Sequence, residues 1–132
     1  MKEKTVKEIE LKNGQTLVIS DASRMISEDA YVVIMKAKME ISVEKTLFSD
    51  GEQKEFFFED IIDKVGKIAV WEHVAERNFI MVKDKDKLFA KLLNDFSETL
   101  IQYISKQEFP KKLILKKYKD NVDNKVNKIK VV

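Results

Sequence analysis

The chain predicts an α+β fold, an antiparallel sheet of about four or five strands packed by one long and one short helix. Three observations carry that prediction. Tyr31, Val33, Met35, Ala37, Met39, Ile41 and Val43 are apolar at every second position, while the residues between them turn from Val32 and Ile34 to Lys36, Lys38, Glu40 and Ser42. That period of two marks a strand with one face on a core. Two shorter alternating stretches flank Asn13-Gly14, a dipeptide suited to the positive φ angles of a tight hairpin turn. A wide apolar stripe at helical spacing follows the strands. Because the helices do not alternate with every strand, a doubly wound parallel sheet is disfavoured.

The elements follow in order. Thr5 to Lys12 and Gln15 to Ser20 form the arms of a hairpin with a two-residue Asn13-Gly14 turn. Asp21 to Asp29 is polar and reads as a loop, after which the long strand runs from Ala30 to Glu44. Ser49-Asp50-Gly51 predicts a turn. Phe58, Ile61, Ile62 and Val65 fall at i, i+3, i+4 and i+7, so a short helix covers 54–65, with Gly66 placed for a left-handed C-terminal cap. Ile68 to Val82 is rich in β-formers, with Arg77-Asn78 as a bulge or a turn splitting two strands. Asp84 or Asp86 caps a helix to Lys106, built on Leu88, Phe89, Leu92, Leu93, Phe96, Leu100, Ile101 and Ile104 and ended by Pro110. Lys112 to Tyr118 reads either as a last strand or as a helical turn.

At 132 residues, with 44% hydrophobic content and eight Phe, the chain supports one core. The expected organisation is a single α+β domain over 1–118 and a loosely ordered Lys/Asn-rich tail over 119–132. Met1 to Glu8 has no apolar run of signal-peptide length, and no stretch approaches the roughly 18 apolar residues of a membrane helix. With no cysteine, disulfides, thiol catalysis and thiolate metal sites are excluded. A cytoplasmic location is expected. Net charge is +2, unevenly placed. Lys106 to Val132 holds nine Lys against Glu108, Asp120 and Asp123, net +6, and the other 105 residues carry 16 bases and 20 acids, net −4. There are 23 Lys and only two Arg, Arg24 and Arg77. Since Arg is the preferred residue for bidentate phosphate and guanine contacts, this composition argues for a solvated surface over a nucleic-acid footprint.

The chemistry the sequence lacks is more specific than any motif it holds. The three glycines have structural places in a hairpin, a turn and a helix cap, which leaves no glycine-rich phosphate loop and no Walker sequence. No Ser occupies a nucleophile elbow. With one His, zinc would have only His73 and carboxylates, and His73 beside Trp71 reads as a packed strand residue. Glu59, Asp60 and Asp63 resemble the polar face of a short helix more than a cation site. Neither a metal nor a cofactor is expected. The candidate ligand-binding residues are Ser23, Arg24 and Asp29, in the loop between two strands. Arg24 beside Ser23 and the carboxylates suits an anionic ligand or a partner's carboxylate. Alternatively, Asp21 and Ser23 satisfy the turn backbone while Arg24 pairs with Asp21 or Asp29.

Asn13-Gly14-Gln15-Thr16-Leu17, Asp21, Ser23-Arg24, Asp29 and the long strand resemble the opening of an uncharacterised family of small bacterial cytosolic proteins. Arg77-Asn78-Phe79 and Phe109-Pro110 are similar as well. The resemblance implies a compact domain and assigns no activity. Phe56-Phe57-Phe58 cannot all face inward from one helix, and Val32 and Ile34 add apolar surface to the polar face of the long strand. Either a two-sided core or a homodimer accounts for this excess. The expected function is a non-enzymatic interaction module acting as a homodimer. The alternatives are sequence-independent nucleic-acid binding through Lys111, Lys112, Lys116, Lys117 and the tail, with Tyr118 as a stacking ring, and a small-anion enzyme using the Arg24 loop.

Overall fold

A computed structural model describes residues 3–48 and 55–131, with side chains described except at 55–57 and 122–131. The sheet has five strands, β1 (Lys4–Glu10), β2 (Thr16–Asp21), β3 (Arg24–Met25), β4 (Ala30–Ser42) and β5 (Ile68–Met81). Their order is β1-β2-β4-β3, with β5 also pairing β4. Among the described residues four helices accompany them: α1 (Glu55–Val65), α2 (Lys85–Thr99), α3 (Ile101–Ile104) and α4 (Phe109–Val131). This is the α+β class that the alternation and the helical stripe predict. The predicted turn at Ser49-Asp50-Gly51 and the side chains of Phe56 and Phe57 lie outside the described residues.

The chain sorts into two compact units, Met1–Met39 with Glu72–Lys106, and Glu40–Trp71 with Gln107–Val132. In the first, β1 and β2 form the expected hairpin, with Ile9 opposite Leu17 and Glu10 opposite Thr16. Its loop is three residues long rather than two. Leu11 N–H donates to the Gln15 carbonyl at 2.8 Å and Gly14 N–H to the Leu11 carbonyl at 2.9 Å. Only Gly14 takes a positive φ, +86°, as in a type I turn closed by a glycine in the left-handed region. Asn13 stays at negative φ, and its side-chain N–H groups donate to the Ile104 and Lys106 carbonyls at 2.8 and 3.0 Å.

Alternation along β4 sets its inward face. Val33, Met35, Ala37, Met39 and Ile41 are all buried. Val32, on the other face, is buried too, so it adds no free apolar surface. The helix expected to run to Lys106 is interrupted at Leu100, whose φ widens to −107°. Thr99 Oγ1 donates to the Asp95 carbonyl at 2.7 Å, a back-bond that competes with the helical ladder. Leu92 and Phe96 of α2 and Ile104 of α3 are buried. His73 lies against Phe96, ring centroids 5.3 Å apart and 24° from parallel.

The second unit pairs α1 with α4. Gly66 follows α1 at φ +96°, and its N–H donates to the Ile62 carbonyl at 2.8 Å, as the C-cap reading requires. Ile61 and Ile114 are fully buried, each contributing about 1.5–3 kcal/mol of hydrophobic stabilisation. The segment from Lys112 to Tyr118 is helical. Pro110 does not follow a helix but opens α4, where a missing N–H costs nothing because the first turn has no intrahelical acceptors. The backbone of residues 119–131 continues this helix.

Candidate functional site

The loop holding Ser23, Arg24 and Asp29 is ordered by the ladder of β4. On one edge of β4, β2 pairs with Met35 to Met39 and β3 with Tyr31 and Val32. The chain crosses from β2 to β3 at Ala22-Ser23, opposite Ile34. Ala22 N–H donates to the Ile34 carbonyl at 3.0 Å, and Ile34 N–H donates to Ser23 Oγ at 2.9 Å. A side-chain oxygen thus stands in for the backbone acceptor the crossing removes. Asp21 Oδ1 accepts from Ser23 N–H at 2.9 Å, the local turn that Asp favours. Asp21 and Ser23 therefore have the backbone roles that a structural loop assigns them.

Arg24 does not complete that loop. It stands opposite Val32 on β3 and is exposed, and among the described residues no ion pair joins it to Asp21 or Asp29. The cation that senses Asp21 is Lys85. Its pKa is raised first by its hydrogen bond to Asp86 at 3.1 Å, and Asp86 and Asp21 add to that against partial desolvation. The Lys85 ammonium also lies 5.1 Å from the Tyr31 ring centroid, within cation–π reach. Asp29 is exposed, and its carbonyl accepts Val82 N–H at 3.1 Å.

That last bond fixes how β5 lies on β4. In an antiparallel ladder the numbers of paired residues add to a constant. Val43 N–H donates to the Lys67 carbonyl at one end, and Val82 N–H to the Asp29 carbonyl at the other. Between those two bonds β4 advances 14 residues and β5 advances 15, so β5 holds one extra residue. Burial agrees: Ala69, Trp71, His73 and Ala75 are the covered positions, residues 76–79 are all exposed, and cover resumes at Ile80. The parity shifts by one. Within that stretch Phe79 adopts φ +56°, the one positive φ among described residues other than glycine. These are the marks of a β-bulge, where Arg77-Asn78 predicted one, and β5 continues through it as a single strand.

The bulge turns Phe79 out to 78% exposure. Met81 and Val82 beyond it, and Met25 and Ile26 on the other edge of β4, are also exposed. Five exposed apolar side chains thus lie along the two edges of β4 near its first residues, with Arg24 and Arg77 next to them in sequence. Ser23, Arg24 and Asp29 by themselves lack this apolar component. Its signal was the unbroken run Phe79-Ile80-Met81-Val82, which a strand with one buried face cannot cover. Left-handed backbone for a bulky aromatic is strained, and such strain concentrates at functional sites.

Of the other sequence candidates, Asp60 and Tyr118 have structural partners. Asp60 Oδ1 accepts from Lys64 Nζ at 2.8 Å and Asp60 Oδ2 from the Tyr118 hydroxyl, while Asn121 Nδ2 donates to the Lys64 carbonyl at 2.7 Å. This seam joins α1 to α4. The hydrogen bond to Asp60 is the main cause of the raised Lys64 pKa and of the raised Tyr118 pKa. Among the described residues no three His, Asp or Glu gather to hold a metal ion, and no helix is long and apolar enough to cross a membrane. Comparison of the chain with protein-family models, with curated proteins and with solved structures found no match.

Proposed function

We propose that this protein is a non-enzymatic interaction module that pairs with a second copy of itself through the apolar surface around the start of β4. The observation that carries the reading is Phe79, a strained aromatic at a bulge and 78% exposed. Aromatic anchors with arginine beside them are typical of residues that dominate binding energy. Two features favour a like partner. A two-fold interface brings each patch against its own copy, so residue i meets j and j meets i. Exposed charges of both signs, Arg24 and Arg77 with Glu28, Asp29 and Glu76, also flank the apolar residues in sequence, which allows opposite charges to meet across such an interface.

Sedimentation velocity from below micromolar to tens of micromolar tests the proposal. The expected result is a concentration-dependent dimer that Phe79→Asp converts to monomer, because aspartate tolerates left-handed backbone and leaves the fold intact. A monomer throughout that range, or a dimer undisturbed by both Phe79→Asp and Val82→Asp, would overturn it.

A further inference from the structure

Residues 111–119 of α4 hold five lysines and no acid. Helical geometry sorts them. Lys112, Lys116 and Lys119 fall at i, i+4 and i+7, one face of the helix, and all three are exposed. Lys111 leans over the Phe48 ring, 5.9 Å from its centroid, and Lys117 lines a pocket with Lys64, Val65, Asp120 and Asn121. Among the described residues, Lys112, Lys116 and Lys119 form no ion pair. Seven residues rise about 10 Å along a helix, a span of about three nucleotides at 3.4 Å per charge along one strand.

We infer that this lysine row is a binding surface for the phosphate backbone of nucleic acid, separate from the surface proposed for self-pairing. The helix settles the choice of polyanion. Binding in the plane of an anionic membrane needs an apolar helix face free to enter the lipid, but Phe109, Pro110 and Ile114 are buried and Leu113 and Leu115 half-buried within the fold. What α4 offers outward is charge. Lysine contacts phosphate as a point charge and does not read base edges bidentately, so binding is independent of sequence. Tyr118 adds no stacking ring, since its hydroxyl is held by Asp60 and the side chain is half-buried.

Fluorescence anisotropy with a labelled mixed-sequence DNA single strand of about 20 nucleotides tests this. Three phosphate contacts give a salt slope near −2, so affinity should fall roughly 20-fold between about 50 and about 200 mM salt. Lys112→Gln, Lys116→Gln and Lys119→Gln together should remove most of the low-salt affinity and flatten the slope, with an unchanged melting temperature. Lys83→Gln with Lys87→Gln, two exposed lysines elsewhere, should bind as the parent does. No binding at low salt, a triple variant that binds like the parent, or a control that loses as much would overturn the inference. So would capture by phosphatidylserine vesicles without binding to the single strand.

Discussion

Replacing Phe79 by glycine separates a side chain that holds the fold from one kept for a partner. A non-glycine residue in the left-handed region costs about 1–2 kcal/mol, which the substitution relieves. Two losses oppose that gain. At 78% exposure about a fifth of the side chain is covered. Taking about 200 Å² for a phenylalanine at about 25 cal/mol per Å², this is worth about 1 kcal/mol. Glycine also gives the unfolded chain more freedom, about 0.5–1 kcal/mol. The terms nearly cancel, so monomer stability should change by no more than about 1 kcal/mol. Phe96→Ala, at 3% exposure, should instead cost about 3–5 kcal/mol. Urea melts at nanomolar protein, read by the sole tryptophan, Trp71, measure both. Self-association should behave differently: an aromatic anchor is worth about 2 kcal/mol or more, so the dimer should weaken roughly 30-fold or more. A loss of about 3 kcal/mol or more in the Phe79→Gly monomer would refute the reasoning, because it would make Phe79 a core residue.

Three further outcomes follow from the same geometry. Arg24→Ala should change stability by less than about 0.5 kcal/mol, as for other surface positions, whereas Ser23→Ala should cost about 1–3 kcal/mol by orphaning the Ile34 N–H; denaturant melts giving the reverse order would restore Arg24 as the loop's clamp. Gly14→Ala meets no atom within 4 Å at its new Cβ, so its cost is conformational alone, about 1–2 kcal/mol, and a melt showing no loss would refute the left-handed turn. Tyr118 and Lys64 have folded pKa values raised above 10.0 and 10.5 by Asp60. Their contribution is therefore complete below those values and is lost as pH rises through the folded ones. Tyr118→Phe should accordingly be less stable than the parent at neutral pH and lose less on going above pH ~10, which paired melts at the two pH values would read.

Local chemistry was legible wherever one residue type has few alternatives. Gly66 ends α1 because few other residues accept its backbone angles, and the alternation of β4 settles its buried face because a strand's side chains change sides at every step. Arg77-Asn78 marked the bulge through the break in β-pattern around it. The Arg24 loop was legible in part. Asp21 acts on backbone two residues away and Ser23 on backbone across the ladder, whereas an ion pair for Arg24 depended on side chains whose positions no local rule sets.

What the sequence by itself determined is the α+β class, the hairpin, the inward face of β4 and the span of α1. Each follows from spacing or from a residue type with one physical use. Tertiary structure decided the rest. Whether Lys112–Tyr118 became strand or helix depended on the packing that buries Ile114, since short apolar runs fit either period. Once helical, that segment drew Lys112, Lys116 and Lys119 into one row. The surface around β4 likewise arose only from pairing, because Met25 and Val82 are 57 positions apart in the chain and come to opposite edges of one strand through hydrogen bonds between its backbone and two others.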